Sequence, residues 1–124
     1  MFKIIVAIAA IVTPLSMSQA QNMPLNQFLA RANALEKKGA MAVFSSDMRL
    51  MKKEMSASAE YLRAERLAMQ AARTKPAYCP PAKQSMNTVE ILTHFRAIPA
   101  AQRNLMRTKD AFRSLLAKKY PCTT

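Results

Sequence analysis

Seven prolines and a single glycine, Gly39, divide these 124 residues. Sheets need tight turns, which glycine supplies, and strands of alternating β-branched residues, and this chain has almost none of either. Helices separated by proline-containing breaks are the remaining way to fold it. The sequence therefore predicts an all-α protein whose segments can be read between the prolines.

Pro24 suits a first helical turn, with Asn22 before it as N-cap. Leu25, Phe28, Leu29, Ala32 and Leu35 recur at helical spacing, and Lys37, Lys38 and Gly39 supply a C-terminal stop. After an apolar connector, Ala40 to Phe44, the cluster Ser45-Ser46-Asp47 opens a long helix over 46–73. Its expected inner stripe is Met48, Met51, Met55, Leu62 and Met69, flanked by Leu50, Tyr61 and Ala68, with Glu60, Glu65 and Arg66 on the wetter side. Serines at 56 and 58 make a break there conceivable, because serine competes for backbone bonds. Residues 76–83 (PAYCPPAK) hold the chain extended.

Asn87 and Glu90 form a variant capping box for a third helix with Val89, Ile91, Leu92 and Phe95 inward, ending at Ile98 before Pro99. A short turn follows. Thr108 is expected to cap a last helix with Ala111, Phe112, Leu115 and Leu116 inward. The expected architecture is a small bundle of four to five helices, with residues 21–124 forming one domain.

Residues 1–20 read as a cleaved signal peptide. Lys3 gives a positive start, Ile4 to Val12 is an unbroken apolar run that Pro14 ends, and Ser18-Gln19-Ala20 places small residues before a cleavage point. A membrane span needs about 20 apolar residues, so this run is too short for one. The expected location is periplasmic or secreted. In such a compartment two cysteines, Cys79 and Cys122, are most simply read as one disulfide, which would close the C-terminal helices into a hairpin. Free thiols or a metal pair are the alternatives.

Loss of Lys3 with the signal leaves eighteen basic residues against seven acids, a net charge of +11. That balance favours an acidic partner, an anionic membrane surface or nucleic acid. Export argues against nucleic acid.

No catalytic signature is present, so no enzyme, cofactor or metal is expected. His94 has no nucleophile or acid arranged near it in sequence, and a structural role suits it better than catalysis. Met48, Met51 and Met55 share a helix face that could offer thioethers to Cu(I) or Ag(I). The same spacing is what a buried stripe requires, and core packing is the reading preferred.

The stretch from Tyr78 to Cys122 carries a family resemblance. It runs through Cys79-Pro80-Pro81, Asn87 and Thr88, a helix with Phe95, Ile98-Pro99 and Arg103, and a helix closing on Tyr120-Pro121-Cys122. In this order the elements resemble the Rap/Tai family of small periplasmic immunity proteins, which protect bacteria from type VI secretion effectors that cleave peptidoglycan. The chain departs from that family in having both cysteines in its second half and only one glycine in its first. The resemblance implies an all-helical domain, often dimeric, that binds an effector and occludes its active site. On that reading Arg96, Arg103, Arg107 and Lys109 would meet an acidic rim, with Pro80 and Pro81 forming a rigid wedge. The alternative is a general envelope protein that engages anionic lipid or wall polymer through its basic surface.

Overall fold

The computed structural model describes residues 22–123; the expected signal peptide lies outside them. Five α-helices follow one another: α1 (Leu25–Lys38), α2 (Ser46–Ala71), α3 (Thr88–Ala97), α4 (Ala100–Arg103) and α5 (Thr108–Lys119). No strand occurs among the described residues. The protein is an all-α bundle, as the glycine and proline pattern requires.

Local chemistry accounts for the boundaries. Gly39 ends α1 with a φ of +57° and is followed by a 3-10 helix, Gly39–Phe44, where an irregular connector was expected. The Ser45 hydroxyl accepts the amide of Asp47 and opens α2. α2 is unbroken through Ser56 and Ser58 and stops at Ala71. There the Arg73 and Thr74 amides turn back to the carbonyls of Gln70 and Met69 (3.1 and 2.9 Å). Arg73 takes a φ of +58° in the position glycine usually fills in this motif. The Asn87 side chain accepts the Glu90 amide at 2.9 Å, as expected of a cap. The Glu90 carboxylate does not reach back; it pairs with Lys119 of α5 instead.

Two other expected caps are replaced. Pro24 itself occupies the N-cap of α1, without a side-chain bond. Thr108 lies inside α5 and is fully buried, its hydroxyl donating to the Met23 carbonyl at 2.9 Å. At the start of α5 the Asp110 carboxylate instead accepts the Arg107 amide at 3.1 Å. These contacts belong to a short antiparallel pairing that joins the two chain segments. The Leu25 amide donates to the Met106 carbonyl (3.0 Å), and the Thr108 amide to the Met23 carbonyl (2.9 Å).

The core lies where α1, α2, α3 and α5 converge. Leu25, Phe28, Leu29, Leu62, Tyr78, Phe95, Ala111, Phe112, Leu115 and Leu116 form one buried cluster, and Met51, Met55, Ile91 and Leu92 pack partly against it. Phe28 and Phe95 meet edge to face, centroids 5.6 Å apart at 73°. Val89, expected inward, is 74% exposed, because the inward face of α3 is set by Phe95, and Val89 falls in the first turn, where nothing covers it. Leu50 and Tyr61 are also exposed on α2.

The polar part of α2 departs further from expectation. Glu54 is buried and accepts the Met23 amide at 3.1 Å. Glu65, expected on the wet side, is partly buried and grips Arg113 of α5 through both carboxylate oxygens (2.8 and 2.7 Å). That contact holds the Arg113 guanidinium above its ordinary pKa, with Asp110 adding to the effect. The Ser58 hydroxyl is buried without a hydrogen-bond partner.

Cys79 and Cys122 are joined in a disulfide, Cα atoms 4.8 Å apart. A backbone bond from the Cys79 amide to the Tyr120 carbonyl (2.8 Å) runs beside it. The segment before α3 is thereby fastened to the end of α5, closing the C-terminal helical hairpin.

Candidate functional site

The four cations expected to meet a partner all have contacts within the fold. Arg96 bonds Glu36 (2.7 Å) and Asn33 (2.9 Å), tying α3 to α1. Arg103 donates to the carbonyls of Ile98 (2.8 Å) and Arg96 (2.6 Å), where the end of α3 leaves acceptors free. Arg107 donates to the Asn22 carbonyl at 2.9 Å. Lys109 sits over the Tyr61 ring, 4.1 Å from its centroid. Arg96 and Arg103 thus meet at the end of α3, while Arg107 and Lys109 lie at the start of α5.

Pro80 and Pro81 do border a defined feature: a cavity of about 470 Å³ between α2, the 78–84 segment and α5. From α2 it receives Ala59, Arg63 and Arg66, which share a helix face at spacings of four and three. From α5 it receives Phe112 and Leu116, again one turn apart. Tyr78, Pro80, Pro81, Ala82 and Gln84 supply the remaining wall. The prolines set this wall's shape, since each fixes its own φ and lacks an amide donor.

Two arginines therefore line one cavity, and no carboxylate lines it with them. Arg66 lies with its guanidinium carbon 5.6 Å from the centroid of the Tyr78 ring, which is itself buried. Its Nε is buried and has no hydrogen-bond partner. A desolvated guanidinium donor without an acceptor is costly, on the order of 1–3 kcal/mol or more. The neighbouring acids Glu65 and Asp110 are engaged with Arg113 on the adjacent face.

The pattern of α2 sets Arg66 with Glu60 and Glu65 on the wetter side. The legible signal was its spacing from Ala59 and Arg63. What could not be read was that the 78–84 segment folds over that face.

A second concavity, of about 360 Å³, is apolar. Leu35, Ala42, Met48, Met51, Val89 and Leu92 line it, between α1, the 3-10 helix, α2 and α3. Met48, Met51 and Met55 also line an adjoining hollow with Phe28. The methionines thus pack partly on the core and partly border an open groove. No group of three or more His, Cys, Asp or Glu residues placed to hold a metal occurs among the described residues.

His94 and Ser114 approach to 2.8 Å. The Ser114 hydroxyl donates to the Ala111 carbonyl (2.7 Å), so His94 Nε2 is the donor to Ser114 Oγ. Burial first, and then the Lys118 charge, hold the imidazole below its ordinary pKa of 6.5. A base whose pKa falls on folding leaves the folded state with fewer protons than the unfolded chain. Its contribution is complete above about pH 6.5 and is lost as pH falls below it. Urea unfolding at pH 7.5 and 5.5 should show a lower midpoint at the acidic pH. His94→Gln should reduce that difference; an unchanged difference would assign the pH dependence to other groups.

No helix among the described residues is long and apolar enough to cross a membrane. No protein-family model, curated protein or solved structure matches this chain.

Proposed function

We propose that the protein is an exported, non-enzymatic binding module that neutralises an acidic-rimmed partner, a cell-wall-degrading effector, by seating against it and blocking its active site. The observation that carries this reading is the cavity between α2 and α5, where Arg63 and Arg66 converge beside the Pro80-Pro81 corner without a carboxylate. A preformed cationic recess with stiff walls favours association, because little has to be ordered when a partner arrives. The disulfide is compatible with an extracytoplasmic location. The resemblance of residues 78–122 to the Rap/Tai immunity proteins supports the effector as partner. Both cysteines form a disulfide and His94 Nε2 is committed to Ser114, which favours binding over catalysis.

Mature protein on a resin, offered extracts of its own species and of close neighbours, should retain a peptidoglycan hydrolase and suppress its activity. Arg63→Glu with Arg66→Glu should lower that affinity by about a hundredfold, through the lost attraction and an added repulsion. Recovery of no hydrolase, or inhibition indifferent to both charge reversals, would overturn the proposal.

The net charge of +11 after signal removal supports a second reading, an envelope protein held on anionic lipid or wall polymer. It requires retention on anionic vesicles or peptidoglycan that weakens steeply between about 50 and 300 mM salt.

A further inference from the structure

We infer that the cavity between α2 and α5 is a carboxylate pocket, built to take a carboxylate borne on an apolar residue of a polypeptide partner. The inference rests on the binding-module reading and names the group that the site would recognise.

Charge comes first. Arg63 and Arg66 are the ionised groups of the lining, and the protein supplies no counter-ion inside it. The Nε of Arg66 has no hydrogen-bond partner within the fold and is shut away from water. An anion brought to the remaining guanidinium nitrogens does not reach that Nε, but it meets a partly desolvated charge, to which attraction is stronger than to a solvated surface arginine.

Geometry selects the anion. The guanidinium carbon of Arg66 lies 5.6 Å from the centroid of the Tyr78 ring. An arginine edge offers two parallel N–H donors, which match the two oxygens of a planar carboxylate. Phosphate can take the same fork, but it brings no hydrocarbon for the Phe112 and Leu116 part of the wall. The pocket offers two guanidiniums and the Gln84 amide, while the proline nitrogens of the 78–84 wall can donate nothing.

Volume selects what carries the carboxylate. About 470 Å³ is many times the roughly 30 Å³ share of one water, so a bare ion would leave most of the space wet. Phe112, Leu116 and Pro80 supply an apolar part of a wall that is otherwise largely polar. A carboxylate joined to an apolar side chain fills both parts: the anion on the arginines, the hydrocarbon against α5. A C-terminal residue of this kind has that shape.

The test uses the mature, disulfide-bonded protein labelled with ¹⁵N and observed through its arginine Nε–Hε resonances. N-acetylphenylalanine should shift the Arg66 signal saturably, whereas N-acetylphenylalaninamide should not and inorganic phosphate should bind more weakly. Arg66→Lys keeps the charge but loses the fork, and should weaken binding by about ten- to a hundredfold. Arg63→Gln provides a second variant, with a smaller loss expected, should Arg66→Lys unfold the domain. Equal binding of the amide, tighter binding of phosphate, or indifference to both substitutions would overturn the pocket. The two proposals fail separately. Hydrolase capture that excess N-acetylphenylalanine fails to displace overturns the pocket and leaves the binding function. Saturable binding of the acid with no hydrolase recovered supports the pocket and overturns the effector reading.

Discussion

Replacing Cys79 and Cys122 together with serine should cost about 4 kcal/mol, because the bridge spans 43 residues of sequence and its removal frees that loop in the unfolded chain. A domain of this size has about 5–15 kcal/mol in total, so the double variant should be only marginally folded. The melting temperature should fall by roughly 15–30 °C. Thermal unfolding followed by circular dichroism, with and without reductant, makes the comparison. Wild type under reductant should melt with the variant. A loss below about 1 kcal/mol would show that the backbone bond from Cys79 to Tyr120 and the helical contacts already restrain the unfolded hairpin. Reduction should also loosen the wall of the arginine-lined cavity, since Pro80 and Pro81 directly follow the cysteine that anchors it.

The second large effect belongs to Phe95, which is fully buried and meets Phe28 edge to face at the junction of α1 and α3. Phe95→Ala should destabilise the protein by about 3–5 kcal/mol, from lost apolar contact and the cavity left behind. Urea unfolding measures it directly. Val89→Ala, six residues earlier on the same helix, is the control. At 74% exposure it should change stability by less than about 0.5 kcal/mol. Comparable effects at the two sites would mean that the inward face of α3 has been assigned wrongly.

The same pair shows how far the sequence could be read. Phe95 and Val89 both satisfied a helical apolar pattern, and periodicity cannot tell a side chain under a neighbouring helix from one at its rim. The elements themselves were plain, because Gly39, Ser45, Asn87 and Pro99 act through local backbone chemistry. The disulfide was legible from cysteine number and expected compartment. Partnerships across the fold were hidden. Glu65 and Arg66 look alike as wet residues of α2, yet one is taken by Arg113 and the other is packed over Tyr78 beside a cavity. Those outcomes depend on where α5 and the 78–84 segment settle against α2. The intramolecular acceptors of Arg96 and Arg103, Glu36 and two carbonyls of the α3 end, are brought near only by the folded chain and so could not be read either.

The short pairing of residues 23–25 with 106–108 has a kinetic meaning. A chain made or threaded from its N-terminus presents Met23 and Leu25 long before Met106 and Thr108 arrive to bond them. The disulfide waits in the same way for Cys122. Neither clasp can close on a partial chain, so the native state is reached only when nearly all of these residues are free together. Contacts this distant in sequence slow the search, and they also keep the unfinished chain from locking prematurely. Under the proposed reading as an exported protein, late closure would suit passage through a narrow channel before folding.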